Sequence, residues 1–176
     1  MELTKQKQDS AYKTLAGYKT VLAAPRLTKI VISSGTGSGM KKDRNKNDII
    51  MDRLTRITGQ RPTVRSAKKS VASFKVRQGD PIGVSVTLRG ARMNHFLDKL
   101  IHIAIPRTKD FRGIDPKAVD NIGNMTLGIK EHTIFPETSD EDLKDVFGFA
   151  ITLVSTAKGK DAALAFFTHL GIPFKK

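Results

Sequence analysis

The sequence predicts an α+β domain: an antiparallel or mixed sheet with helices packed on one face and a projecting basic loop. Two patterns lead to this prediction. Short β-branched segments, typical of strands, occur among longer segments with apolar residues at helical spacing. The 176 residues contain no internal repeat and no long linker, and this length is enough to bury a substantial core. We therefore expect residues 1–176 to form a single domain.

The first half of the chain predicts two helices and three strands. In chain order these are a helix at 3–16, a strand at 27–33, a helix at 47–58, and strands at 63–66 and 81–89. The second helix places Ile50, Leu54 and Ile57 on one side and is expected to end at Gly59. Residues 67–80 are too many for a tight hairpin turn, so the tip of this connector is expected to project.

The second half predicts a long helix, an irregular loop, two strands and a last helix. The long helix covers 91–104, and its apolar stripe consists of Met93, Phe96, Leu97, Leu100, Ile101 and Ala104. Proline and glycine residues make 106–124 an irregular loop. Strands are expected at 126–135 and 147–155, with a short acidic turn or helix between them. The last helix is expected to use Ala162, Leu164, Ala165, Phe167 and Leu170 as its apolar face.

The positive charge is concentrated in the middle of the chain. The formal net charge is +14, and residues 41–112 hold 18 Lys and Arg against 6 Asp and Glu, a balance of +12. Residues 113–176 hold 7 basic and 9 acidic side chains. Charge of this size repels itself in a compact fold, so it indicates a polyanionic partner for the middle region. The last third is expected to face a different neighbour.

Composition argues against several classes of protein. The absence of cysteine removes disulfides, thiolate metal sites and thiol catalysis. No apolar run approaches the roughly 20 residues of a membrane span, and the first residues lack the pattern of a signal or transit peptide. The four histidines have no metal-ligand spacing. The carboxylates at 137–145 indicate a solvated acidic face rather than a catalytic pair. We expect a cytoplasmic protein that is not an enzyme, has no cofactor or metal and does not contact a membrane.

A glycine-rich turn at Gly35–Gly39 lies between a predicted strand and a predicted helix, as nucleotide-binding loops do. Both common phosphate-binding patterns need a further glycine at position 40, where this chain has Met40. A structural turn or a backbone contact to RNA is therefore favoured over a nucleotide site. A nucleotide-dependent enzyme that uses this turn stays open as an alternative.

The basic segment around the connector gives the strongest indication of a binding site. Eight Lys and Arg residues and no acid lie between Arg53 and Gly79. Such cations neutralise phosphates, and serine hydroxyls beside them can bind phosphate or the ribose 2′-OH. Phe74 offers a face on which an unpaired base can stack, although a core position for this ring is equally compatible with the sequence. RNA is the favoured partner, and a generic basic or sequence-specific DNA-binding regulator is the alternative.

Ten short sequence blocks occur in an order that resembles a known family. They include Gly59-Gln60-Arg61-Pro62, Phe74-Lys75-Val76-Arg77-Gln78-Gly79, Val86-Thr87-Leu88-Arg89-Gly90 and Leu127-Gly128-Ile129-Lys130-Glu131. The sequence closely resembles the bacterial form of the fifth large-subunit ribosomal protein, which binds 5S ribosomal RNA. The similarity extends from about Tyr18 to Lys176.

The resemblance implies a structural constituent of the large ribosomal subunit. It implies an α+β body in the central protuberance that binds 5S rRNA and helps to attach it to the large ribosomal RNA. It also implies contacts with peptidyl-site transfer RNA, with small-subunit protein thirteen across an intersubunit bridge, and with other large-subunit proteins.

The resemblance also assigns residues to these contacts. The residues expected to bind 5S rRNA are Ser33, Gln60, Arg61, Phe74, Thr87 and Arg89, and Ser33 replaces the asparagine usual in the family. The loop expected to contact transfer RNA contributes Arg65, Lys68, Lys69, Ser70, Ser73, Lys75, Arg77 and Gln78. Ser73 stands where the family commonly has glycine. The residues expected on the bridge side are Asp110, Phe111, Arg112 and Asp142.

Overall fold

A computed structural model describes residues 18, 20–36, 46–109, 111–139 and 146–175. In these residues the chain forms a five-stranded antiparallel sheet and three α-helices, which confirms the predicted α+β class. The strands are β1 (Leu27–Gly35), β2 (Thr63–Ser66), β3 (Pro81–Leu88), β4 (Met125–Ile129) and β5 (Phe149–Ser155), in the sheet order β2-β3-β1-β5-β4. The helices are α1 (Lys46–Thr58), α2 (Gly90–Lys99) and α3 (Lys160–His169). The predicted helix at 3–16 lies outside the described residues.

The chain divides into two compact units. The terminal unit comprises Met1–Lys29, Asp110–Leu127 and Thr152–Lys176, and the central unit comprises Ile30–Lys109 and Gly128–Ile151. The prediction of a single domain concerns independent folding, so it stays a prediction.

The core of the central unit follows the apolar patterns of its helices and strands. Helix α2 continues as a π-helical turn at Leu100–Ala104, so the helical segment ends where the sequence predicts. All residues of the predicted stripe are buried except Ile101, which is half-buried. From α1 the core receives Ile50, Leu54 and Ile57, all at most 1% exposed. Phe96 and Phe135 are also buried in the central unit, and their ring centroids are 5.9 Å apart.

The predicted strand at 126–135 is too long. Strand β4 ends at Ile129, and two 3-10 turns follow at His132–Ile134 and Pro136–Thr138. His132 and Phe135 are both fully buried and three residues apart, which is the period of a 3-10 turn and not of a strand. The His132 ring also stacks on Phe147 at a centroid distance of 4.5 Å. Burial of these rings overrides the strand propensity of the β-branched residues between them.

The terminal unit contains the loop at 111–124 and helix α3. The buried residues of α3 are Ala163, Phe166 and Phe167, so the predicted apolar face was wrong in part. Of the predicted residues only Phe167 is buried, and Ala165 is exposed. Helix α3 is apolar on several sides, so its sequence does not distinguish the face that packs. None of the described helices is long and apolar enough to cross a membrane.

Candidate nucleic-acid interface

The sheet of the central unit has one buried face and one open face. Strands β1 and β3 pair so that Ile30 lies opposite Leu88 and Ile32 opposite Val86, and all four side chains are buried. Successive side chains of a strand point to opposite faces, so Ser33, Ser85 and Thr87 belong to the other face. There Ser33 is exposed and Thr87 is half-exposed. This second face, which we call the open face, carries two of the residues assigned to 5S rRNA.

Gln60 reaches the same region from the end of helix α1. Its Nε2 donates a hydrogen bond to the backbone oxygen of Thr87 at 3.2 Å. Gly59 allows the chain to turn here because its φ is +67°, a conformation that other residues rarely adopt. The Thr58 hydroxyl, whose Oγ1 lies 2.6 Å from the Leu54 oxygen, also accepts the Gln60 N–H at 3.3 Å. The sequence Thr-Gly-Gln thus fixes where the Gln60 side chain lies.

A row of hydroxyl side chains crosses the open face. In the strand register Thr63 lies opposite Ser85, and Ser85 lies opposite Ser33. Thr87 is the diagonal neighbour of Ser33, and such neighbours have Cα atoms about 7–8 Å apart in paired strands. Ser33, Thr87 and Gln60 are therefore brought together, although they lie far apart in the sequence.

Arg65 also belongs to this face. Its Nε donates to the Ser85 Oγ at 2.6 Å. Arg65 lies in strand β2, ahead of the connector with which the sequence grouped it. Arg61 and Arg89 are exposed beside the same face, one directly after Gln60 and the other directly before helix α2.

The connector between β2 and β3 is folded locally. Val71 and Val76 form an isolated antiparallel bridge, with hydrogen bonds of 2.9 and 3.2 Å between their backbones. The bridge encloses a 3-10 turn at Ala72–Phe74. Lys75, which follows the turn, has a φ of +52° and is the only described non-glycine residue with positive φ. The strained position is therefore Lys75, and not Ser73.

The base of the connector is closed by further hydrogen bonds. Oδ2 of Asp80 accepts the backbone N–H of Arg77 at 2.7 Å. The hydroxyl of Ser70 accepts the N–H of Gln78 at 2.9 Å. The backbone N–H of Ala67 donates a hydrogen bond to the backbone oxygen of Asp80 at 2.8 Å. Because these bonds are local, the connector holds a defined shape while exposing the side chains assigned to transfer RNA: Lys68, Lys69, Ser70, Ser73, Lys75, Arg77 and Gln78.

Phe74 lies at the tip of the connector and is not a core residue. Its surface is 70% exposed. The exposure decides the question that the sequence left open, because a ring in the core would be nearly inaccessible. Phe74 is adjacent to Ser73 and Lys75, so it lies in the connector with residues assigned to transfer RNA, whereas the resemblance assigns Phe74 itself to 5S rRNA.

The residues assigned to the intersubunit bridge are only partly described. Phe111 is 37% exposed and Arg112 is exposed, both in the terminal unit. Asp110 and Asp142 lie outside the described residues.

The described residues contain no group of His and acidic side chains that could hold a metal ion. His132 is buried, with Nε2 3.4 Å from Nη1 of Arg53, and it serves the core. Residues 37–39 of the glycine-rich turn lie outside the described residues.

Three residues of this region were not identified from the sequence: Thr63, Ser85 and Asp80. Ser85 is uncharged and lies in a strand, and only the strand register shows that it contacts Arg65. Asp80 is the only acid between Arg53 and Arg89, and this isolation in a basic segment was an available signal.

Comparison with known proteins identifies the family of the chain. The family described as "Ribosomal protein L5" matches residues 21–77, and the family that describes the C-terminus of the same ribosomal proteins matches residues 81–174. The chain belongs to the ribosomal protein L5 family. It is similar to the large ribosomal subunit protein uL5 of Natranaerobius thermophilus, with 47% identity over 159 residues, 90% of this chain and 88% of the relative. The protein of the same name from Desulfatibacillum aliphaticivorans is 47% identical over 160 residues, 91% of this chain and 89% of the relative.

The family matches extend the resemblance from short sequence blocks to most of the chain. They identify a ribosomal protein, which is a structural protein and not an enzyme. The nucleotide-dependent enzyme considered from the glycine-rich turn is therefore excluded.

Proposed function

We propose that the chain is a structural constituent of the large ribosomal subunit that binds 5S rRNA through the open face of its sheet. The observation that carries the proposal is the convergence of Gln60, Thr87 and Ser33 on that face. Three segments distant in the sequence supply amide and hydroxyl groups there, and such groups can bind base edges, phosphate and the ribose 2′-OH.

The charges around the open face support an RNA partner. Arg61, Arg65 and Arg89 are exposed on or beside it. Their guanidinium groups donate to phosphate and cannot lose their charge at physiological pH. No described aspartate or glutamate lies in strands β1, β2 or β3. A polyanion therefore meets no like charge from these strands.

The connector is proposed as a second contact, with peptidyl-site transfer RNA. Its exposed lysines Lys68 and Lys69 give it charge, and its local hydrogen bonds hold it in shape without help from the sheet face. We further propose that the protein helps to attach 5S rRNA to the large ribosomal RNA in the central protuberance. Phe111 and Arg112 are proposed for the bridge to small-subunit protein thirteen, and other large-subunit proteins are proposed as neighbours.

An equilibrium competition experiment tests the main proposal. Purified full-length protein is titrated with labelled 5S RNA in the presence of unlabelled transfer RNA or duplex DNA of similar charge. The expected result is that neither competitor displaces 5S RNA until it is in large excess. If transfer RNA and duplex DNA compete as well as 5S RNA itself does, the binding is only nonspecific electrostatic attraction to polyanions. Preference for duplex DNA would favour a DNA-binding regulator instead.

A further inference from the structure

Arg65 is exposed at the end of a row of the open face whose other two residues are glycines. In the strand register it lies opposite Gly83, and Gly83 lies opposite Gly35. Neither glycine has a side chain, so nothing rises from the sheet along this row. A Cβ atom built on Gly83 would lie 2.9 Å from the backbone oxygen of Ser34, too close for any other residue to fit without movement.

Ser85 holds this guanidinium in place. Its hydroxyl oxygen lies 2.6 Å from Arg65 Nε, and the residue is only 7% exposed although it belongs to the open face. A guanidinium has five N–H donors, so the bond to Ser85 leaves four on the terminal nitrogens. A serine hydroxyl carries no charge, and within the described part of the chain Arg65 forms no ion pair. Its positive charge is therefore oriented but not neutralised.

The surrounding side chains complete a site for an anion. Thr63 and Ser33 flank Ser85 in its row, and both are exposed. Their hydroxyl groups can donate to the same ligand. A fork of two parallel N–H groups matches two oxygens of one phosphate.

We infer that Arg65, oriented by Ser85, binds a backbone phosphate of the RNA on the open face. Ser85 is then a positioning residue, and Ser33 and Thr63 contribute hydroxyl groups at the edge of the site. The inference rests on the proposed function and adds to it a phosphate subsite. It also moves Arg65 from the transfer-RNA connector to the 5S surface, because this residue lies in β2 and bonds to β3.

The test is a titration of the full-length protein with 5S RNA at several salt concentrations. Arg65→Ala is expected to weaken binding about tenfold and to reduce the steepness of the log–log salt dependence by about 0.7–0.9, the loss of one phosphate contact. Arg65→Lys is expected to keep the steepness but to lose part of the affinity, because an ammonium cannot bind bidentately. Arg92→Ala is the matched control because it removes one exposed charge from helix α2. It is expected to change the affinity and the salt dependence less than Arg65→Ala does.

Ser85→Ala distinguishes positioning from direct contact. It is expected to weaken binding about threefold without changing the salt dependence, and to add nothing when combined with Arg65→Ala, because orientation of an absent group has no effect. Additive losses in the double variant would contradict the positioning role. Thermal melts of each variant verify folding, and if Arg65→Ala impairs it, the comparison of Arg65→Lys with the unmodified protein decides the case.

Failure of this inference is separable from failure of the proposed function. If the unmodified protein does not prefer 5S RNA, both are overturned. If it does, and Arg65→Ala matches the Arg92→Ala control in affinity and salt dependence, only the phosphate subsite is overturned.

Discussion

Replacement of Phe74 by alanine separates RNA binding from folding more clearly than any other single change. The ring is 70% exposed, so folding buries about 30% of its surface. For a phenylalanine of roughly 200 Å² this is about 60 Å², worth at most about 1.5 kcal/mol at 25 cal/mol per Å². A core phenylalanine would cost about 3–5 kcal/mol. In a chain of this length the expected loss lowers Tm by at most about 6 °C.

The expected effect on RNA affinity is larger. If the exposed ring stacks on a base of 5S RNA, its loss costs about 1–3 kcal/mol, which is about 5- to 150-fold in Kd. The assay combines a thermal melt with a 5S RNA titration on the same preparation. Ile122→Ala is the control, because Ile122 is 76% exposed in the terminal unit and its truncation removes apolar surface at a site without a proposed RNA contact. A large fall in Tm with unchanged affinity in the folded fraction would refute the reasoning.

Three substitutions and one titration test other parts of the proposal. The double variant Lys68→Ala, Lys69→Ala is expected to weaken the contact with peptidyl-site transfer RNA in assembled ribosomes and to leave 5S affinity nearly unchanged. Gln60→Ala is expected to cost about 1–3 kcal/mol in 5S affinity. Asp80→Ala removes the acceptor of the Arg77 N–H and is expected to speed amide hydrogen exchange in the connector with little change in Tm. The pKa of Asp120 is lowered mainly by the Asn124 backbone N–H, so the amide resonances of the 120–124 turn are expected to titrate with a midpoint below that of an ordinary aspartate.

Each of these changes has a control and an outcome that would contradict it. Equal damage to 5S binding by the lysine and glutamine variants would show that the connector and the open face are one surface. Asp80→Asn keeps an acceptor oxygen, so connector exchange as fast as in Asp80→Ala would mean that the hydrogen bond does not hold the loop. The Asp120 carboxylate is stabilised when charged, so its contribution is present above the pKa of the unfolded chain and is lost as pH falls through the lower folded pKa. A midpoint at or above the ordinary value would contradict this.

Local periodicity predicted the fold where one face of an element dominates its sequence. Helix α2 has a clear apolar stripe, and its described residues pack as predicted. Helix α3 has no single apolar face, so its sequence did not predict which side packs. The strand predicted through His132 was wrong because the rings of His132 and Phe135 are buried against rings from other segments of the chain. Such partners depend on tertiary packing, which a single segment cannot reveal.

The same limit applies to the site. Charge and family resemblance assigned Gln60, Thr87 and Ser33, but only strand register shows that Thr87 and Ser33 share a face, and only a hydrogen bond shows that Gln60 reaches Thr87. The strand register also places Arg65 in β2, outside the connector, and places Ser85 where it contacts Arg65. Phe74 is the reverse case, because its position next to Lys75 is evident in the sequence whereas its exposure is not.

Whether the chain binds 5S rRNA in the cell is decided by the RNA that co-purifies with the full-length protein. A tagged protein is purified from growing cells at moderate salt, and the bound RNA is extracted and quantified by length and sequence against total cellular RNA. We expect strong enrichment of 5S RNA, and loss of that enrichment in a Gln60→Ala, Thr87→Ala double variant that still melts cooperatively. Recovery of transfer RNA, messenger RNA or DNA in proportion to their abundance, with no enrichment of 5S RNA, would contradict it.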